Sequence, residues 1–534
     1  MSFHHTYIPY KETGYFSSLV NDYLAGNAEL LPFYHFTPDS EGISNAIAER
    51  SKYPVDRKTL VSLLNKQYAG LEIPGKVADN IKLLAKENTF TICTAHQPNL
   101  LTGYLYFIYK ILHAIKLAEE LNQLHPDKHF VPVYYMGSED NDLEELGSFR
   151  YGADTYVWDG NGQKGAVGRM QTKGLKQMLN DLFRLFGPPG ANCEQLKDML
   201  HKAYLGHNTI GEATQYLVNE LFGRYGLVVL NPDEAEFKKA ILPIIKDDLL
   251  HQTANGIVAK QIEQLSVKYK AQAHPREINL FYLADGLRER IEKKGDNRAV
   301  VNSDITWTEQ ALLKEVDEHP ERFSPNVILR GLLQESILPD VAFIGGGAEV
   351  AYWMQLKSLF EHYKVFLPVI LLRQSVLWIA PAQVRLMNKM GLNSKAIFAE
   401  ENELKKNYII AHSGSDWQTD QETAVIEKVL YELKAKASGI DSTLGASAEA
   451  ALARIRHQLQ VLEKKMLRAE KRKAAEALTR FERLKKGLFP NNNLQERVDN
   501  FATYFLSYGF SFFDTIKKAI DPLRSEFLVI EDIA

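Results

Sequence analysis

Between Thr89 and Gly137 the sequence spells a strand, a loop, a helix and a second strand, and this order restricts the fold more than any other feature. "TFTICTA", residues 89 to 95, is an apolar β-rich run that reads as a buried strand. After the loop "HQPNLLTG", Leu105, Ile108, Leu112 and Ile115 recur at three- and four-residue spacing, and Thr102 is placed to cap the helix they predict. "FVPVYYMG", 130 to 137, supplies the second strand. Two strands joined through a helix run parallel, so the pattern predicts an α/β sheet. Ligands of such sheets sit beyond the carboxyl ends of the strands, which singles out the loop after residue 95 and the acidic run "SEDNDLEEL" after residue 137. Further strands are expected at "GLVVL" (226 to 230), "VAFIG" (341 to 345) and "VFLPVILL" (365 to 372). The segments between them exceed ordinary crossovers. Insertions are therefore expected at about 150–215 and 250–335, either of which could cap a cleft.

A chain of 534 residues is too long for a single core. We expect a sheet core over residues 1–378, a helical arm over 379–490 and a final segment, 491–534, whose apolar "FATYFLSYGFSFF" returns to the core. The arm rests on residues 448 to 488, which lack proline throughout and glycine until Gly487. Leu452, Ile455, Leu459, Leu462 and Met466 follow a heptad rhythm that slips by one residue before Ala474, as a local change of register requires. The helix at about 421–437, with Val425, Val429 and Leu433 on one side, is its expected antiparallel partner.

Composition removes several classes of function. A net charge of −4 gives no global electrostatic case for nucleic acid or membrane, and no run of eighteen apolar residues occurs. Two cysteines, Cys93 and Cys193, exclude a disulfide framework and a cysteine-based zinc site. No metal ligand set is expected. The N-terminus lacks the pattern of an export signal, and a reducing cytoplasm is the expected setting.

In the first strand-end loop, Gln97, Thr102 and Gly103 would present hydrogen-bond donors and a helix N-terminus to an anion, with His96 as a base or, more plainly, a strand cap. In the second, Asp140 and Asp142 are expected to face the cleft and receive an amine. "FIGGGAEV", 343 to 350, fails the dinucleotide fingerprint because Val350 stands where its third glycine or alanine belongs. Gly346 permits close approach of a ligand there, and Glu349 in the first helical turn favours an ammonium over a phosphate. Glu349, Asp140 and His96 are the candidates for proton transfer. "HPREINL" sets Arg276 beside Asn279 in an insertion, Arg276 being suited to a carboxylate. From Arg454 to Lys486, twelve Lys or Arg stand against four Glu, so Lys471, Arg472 and Lys473 are candidates for nucleotide phosphates.

The segments "TAHQPNLLTGYLYFIYKILHAIKLA", "VPVYYMGSEDNDLEEL", "HPREINLFYL", "SPNVILRGLLQESILPDVAFIGGGAEVAYW" and "LQERVDNFATYFLSYG" resemble the bacillithiol biosynthesis cysteine-adding enzyme family over essentially the whole chain. The resemblance implies a Rossmann-like core with two connecting-peptide insertions and a C-terminal coiled coil that serves as a homodimer interface. It also implies a ligase that joins cysteine by an amide to the amine of glucosaminyl-malate, with ATP or ADP as the expected nucleotide. Two alternatives stand beside it. The first loop is similar to that of class I synthetases and nucleotidyltransferases, although their H-x-G-H and K-M-S-K-S signatures are absent. The basic arm suits a nucleic-acid-binding protein, but aromatic residues are nearly absent from it.

Overall fold

The computed structural model describes residues 2–412 and 419–533, apart from the side chains of residues 412, 470 and 471. The chain divides into two compact units: the larger comprises His4–Trp378 and Asn493–Ile530, the smaller Ile379–Asn492 with the terminal residues.

The larger unit is organised by five parallel strands: β1 (Thr89–His96), β2 (His129–Met136), β3 (Val228–Leu230), β4 (Asp340–Gly345) and β5 (Val369–Leu372), in the spatial order β5-β4-β1-β2-β3. β1 and β2 pair residue for residue from Thr89 opposite His129 to His96 opposite Met136. Both faces of β1 are covered, so Thr89, Thr91 and Thr94 are buried along with Phe90, Ile92 and Cys93. Helix α1 (Leu105–Leu124) crosses from β1 to β2, and its Ala114, Leu117 and Leu121 pack with Ile92, Ile344 and Val369 in one core.

The start of α1 differs from expectation. Tyr104, not Thr102, occupies the position before the helix, and Leu101, Thr102 and Gly103 all adopt positive φ in a tight turn. Tertiary hydrogen bonds override the local capping preference. Asn500 Nδ2 donates to the carbonyls of Leu101 and Gly103 at 2.8 and 2.6 Å, the Leu101 N–H donates to Tyr204 Oη at 2.7 Å, and the Leu105 N–H donates to the Asp499 carbonyl at 2.9 Å. Gly103 is required there, since a Cβ would also press within 3.0 Å of Asn99 Cβ.

Two additions lie between the core strands. The first contains the hairpin Ser148–Tyr151 with Asp154–Val157 and the helices Leu175–Arg184 and Ala191–Gly206. The second folds into a five-stranded antiparallel sheet in the order Thr306–Trp307, Asn297–Val300, Leu287–Lys294, Leu280–Ala284, Phe323–Pro325. Among the described residues, no helix is long and apolar enough to cross a membrane.

Helix α2 (Gly347–Trp353) follows β4 in the larger unit. The smaller unit carries an antiparallel pair, α3 (Asp420–Ile440) and α4 (Leu444–Lys473), with a helix over Ala475–Leu488 beyond a break at Ala474. The break falls where the heptad slips. Arg456 Nε meets Glu427 at 2.5 Å, and Lys434 pairs with Glu449, tying α3 to α4 across opposite directions. Leu452 is buried, but Leu462 remains 49% exposed and Val425, Val429 and Leu433 between 50% and 64%. The three α3 residues thus line an open face instead of filling the seam with α4.

Candidate active site

At the carboxyl ends of β1, β2, β4 and β5 lies a cavity of about 920 Å³, and every residue lining it belongs to the larger unit. The second insertion contributes to its wall through His274, Arg276, Phe281, Arg288 and Val327.

One wall is acidic. After β2 the chain turns through Gly137, whose N–H donates to the His96 carbonyl at 2.8 Å, and then presents Asp140, Asp142 and Glu145. Asp140 accepts from Gln97 Nε2 at 3.1 Å and from the Asn141 N–H at 2.8 Å, and lies 3.7 Å from Arg288 Nη1. Arg288 also donates to Asn141 Oδ1 at 2.9 Å and stacks over the Phe281 ring, so the insertion sheet holds the acidic loop from the side. Asp142 receives the Glu145 N–H at 3.2 Å as a helix cap. Partial burial, then the charges of Asp142 and Asp140, raise the pKa of the Glu145 carboxyl. No basic side chain pairs with Glu145 among the described residues. Glu139 turns away to Lys238 Nζ at 2.5 Å and Ser324 Oγ at 3.0 Å.

The opposite side is basic. Lys110 on α1 is buried, donates to the Ala95 carbonyl at 3.0 Å and pairs with Glu349. Glu349 also accepts the Gly346 N–H at 2.8 Å, closing the start of α2. The ammonium that the sequence assigned to Glu349 is therefore, in this structure, the protein's own Lys110. Arg373, just beyond β5, makes a two-pronged pair with Glu496 at 2.6 and 2.8 Å. Arg330 donates to Tyr352 Oη and has no carboxylate partner among the described residues. His96 packs against Tyr106 and Phe107, with ring centres 5.3 and 5.4 Å away. Burial, then the nearby Lys110, Arg373 and Arg330, hold its imidazole pKa well below the ordinary value. A histidine so placed stays neutral and is a weak base.

His96, Gln97, Asp140, Asp142, Arg276, Gly346 and Glu349 all line the cavity. Three of the substrate-binding candidates do not. Thr102 and Gly103 are locked in the turn held by Asn500, and with the Leu105 N–H already bonded, that helix start offers no anion seat. Asn279 is fully buried: its Oδ1 accepts the Arg276 N–H at 2.9 Å and its Nδ2 donates to Asp248 Oδ1 at 3.1 Å, so it shapes the loop that carries Arg276. Arg276 is exposed and has no acidic partner among the described residues, unlike the surface salt bridge that its composition allowed. Arg472 and Lys473 are exposed on α4, and the side chain of Lys471 lies outside the described residues. Cys93 is a packed core residue whose thiol pKa burial raises.

The sequence reading missed Lys110, Arg330 and Arg373. A lone lysine inside "YLYFIYKILHAI" was one available signal, because a cation on an apolar helix needs a buried partner. Arg373 directly follows the strand "VFLPVILL", where the strand-end rule applies equally.

A parallel sheet with a strand-end cavity, one wall acidic and the other basic, and a separate helical pair define a Rossmann-like α/β protein with a C-terminal coiled coil. The match to known families has the same two parts: the bacillithiol biosynthesis BshC N-terminal Rossmann-like domain over residues 3–374 and the BshC C-terminal coiled-coil domain over residues 376–531. The chain belongs to the bacillithiol biosynthesis BshC family. Proteins named "Putative cysteine ligase BshC" from Flavobacterium johnsoniae and Flavobacterium psychrophilum are each 39% identical to it, across 98% of this chain and 99% of theirs. The one from Christiangramia forsetii is 37% identical across 98% of each chain. This membership does not favour the nucleotidyltransferase and nucleic-acid-binding alternatives.

Proposed function

We propose that this protein is a ligase that joins the carboxyl of cysteine to the amine of glucosaminyl-malate, forming the amide of bacillithiol. The observation that carries the reading from geometry is the division of one cavity into an acidic and a basic wall. Such a cavity suits two partners that between them bring amines and carboxylates. The relatives' shared name supplies the cysteine.

Amide formation from a free carboxylate is uphill in water, so the cysteine carboxyl must be activated, and the nucleotide expected from the sequence would supply that chemistry. At the helix starts the Leu105 and Gly346 N–H groups already donate to protein acceptors, and Glu349 in the first turn of α2 sets a carboxylate where a phosphate would approach. The basic stretch Lys471–Lys473 is the remaining nucleotide candidate. Calorimetry with ADP on a variant neutralising all three is its test, and unchanged affinity would return them to solvated surface.

Within the cavity, Asp140, positioned by Gln97, keeps the role of holding the amine, while Glu349, already paired with Lys110, keeps only that of relaying its proton. Asp142 lines the same wall. The neutral, weakly basic state of His96 argues against it as the base. The open apolar face of Val425, Val429 and Leu433 supports pairing of two copies through the coiled coil. A cytoplasmic setting agrees with two free, buried cysteines. The deciding experiment is metabolite analysis of a strain lacking this chain. Accumulated glucosaminyl-malate without bacillithiol is the expected result, and normal bacillithiol would refute the proposal.

A further inference from the structure

Two buried nitrogen atoms on the basic side of the cavity have no hydrogen-bond partner: Arg373 Nε and His96 Nε2. Arg373 is only 3% exposed. Its terminal nitrogens are committed to Glu496, Nη1 also to Ser375 Oγ at 3.1 Å, but the Nε–H has no acceptor and a guanidinium cannot accept one in return. An unmatched charged donor at a cavity wall costs free energy unless a ligand completes it. Gly346 faces the same spot. A Cβ there would stand 3.5 Å from Glu349 Oε2 and 3.8 Å from Arg373 Nε, so the missing side chain keeps the contact around that nitrogen loose.

The surrounding charge specifies the ligand. Lys110, Arg330 and Arg373 all act electrostatically on His96, while Glu349 and Glu496 offset Lys110 and Arg373. Arg330 is left in excess, its guanidinium over the Tyr135 ring. The local balance thus has room for one negative charge, and a carboxylate oxygen would meet the Arg373 and His96 nitrogens as donors once the neutral imidazole carries its proton on Nε2.

We propose that His96, Arg330 and Arg373, beside the side-chain-free Gly346, form a seat for one permanent carboxylate of the acceptor substrate. This rests on the ligase reading given above. The cysteine carboxyl is the reacting group and does not remain a carboxylate, whereas a malate-bearing acceptor retains its carboxylates through the reaction. The acidic wall of Asp140, Asp142 and Glu145 repels such a group and directs it to this seat.

The test is calorimetric titration of L-malate into the full-length protein, with cysteine as the comparison ligand. Wild-type protein should bind malate, and His96→Phe, which keeps the aromatic packing but removes both ring nitrogens, should bind it about tenfold more weakly or worse. Arg330→Gln should do the same. Arg373→Lys keeps a cation opposite Glu496 and removes the Nε–H, and thermal melting identifies any variant that fails to fold. Absence of malate binding to the wild type, or affinities within about twofold in folded His96→Phe and Arg330→Gln, would overturn the seat. Cysteine binding that weakens in these variants while malate binding does not would overturn the assignment to the acceptor. Because the readout is binding alone, failure here is separable from failure of the ligase reading, which metabolite accumulation decides.

Discussion

Lys110 and Glu349 show how a single residue pair can serve a site and stabilise the fold at once. Lys110 is almost wholly buried, and burial lowers its pKa even though Glu349 opposes the shift. Removing the carboxylate charge leaves an uncompensated buried cation. Glu349→Gln should therefore cost about 3 kcal/mol of stability as well as turnover. Lys110→Met combined with Glu349→Gln should recover part of that stability, and a double variant no more stable than Glu349→Gln alone would refute the coupling. A second buried group responds to pH. Glu335 and Asp340 are both fully buried and close to one another, with Thr91 Oγ1 donating to Asp340 Oδ1 at 3.1 Å. Burial pushes Glu335 from the ordinary 4.5 up to about 8 against the opposing pull of Arg50, and burial followed by the charge of Glu335 holds Asp340 well above the usual carboxylate range. The folded state retains a proton that the unfolded chain releases, so this contribution to stability is full below pH 4.5 and is lost as pH rises to about 8. Melting temperatures of the wild type should fall across that window. Glu335→Gln should flatten the fall, and identical slopes would reject the pair as its source.

At the scale of elements, what was legible had a local cause. β1, β2 and α1 follow from apolar runs and helical spacing that neighbouring residues impose on each other. The break at Ala474 was visible for the same reason. The turn at Leu101–Gly103 was not, because Asn500 and Tyr204, distant in sequence, determine it. Asn279 likewise seemed a ligand group until Asp248 proved to hold it from thirty-one residues upstream. The exposed face of α3 was misjudged because an apolar stripe does not state which partner covers it. That face, with Leu462, now defines the dimer prediction. Val429→Glu with Leu462→Glu should desolvate charge against apolar neighbours and shift sedimentation to the monomer. A fully dimeric variant would place the interface elsewhere.

At the scale of the larger unit, the cavity depends on an element that the sheet itself does not supply. The strand-end rule located Asp140, and the antiparallel insertion sheet then fixes it: Arg288 Nη1 reaches Asn141 Oδ1 at 2.9 Å and lies 3.7 Å from Asp140, while the guanidinium stacks on Phe281. The sequence showed the insertion but not this junction, since Arg288 sits in a charged strand, "LRERIEKK", that resembles any solvated edge. Burial lowers the Arg288 pKa without neutralising it, Asp140 being the leading opposing influence, so the residue remains a cation facing the acidic wall. Truncating it would release the loop from one side while Gln97 still holds Asp140 from the other. Arg288→Ala should thus loosen residues 137–146, seen as faster amide exchange there, and raise the Michaelis constant for the sugar about tenfold with a smaller change in turnover. Gln97→Ala should act on the same constant from the opposite side of Asp140, and the two substitutions together should cost less than the sum of their separate effects because they support one carboxylate. Strict additivity, or unchanged exchange in the loop of Arg288→Ala, would show that the acidic wall stands without the insertion.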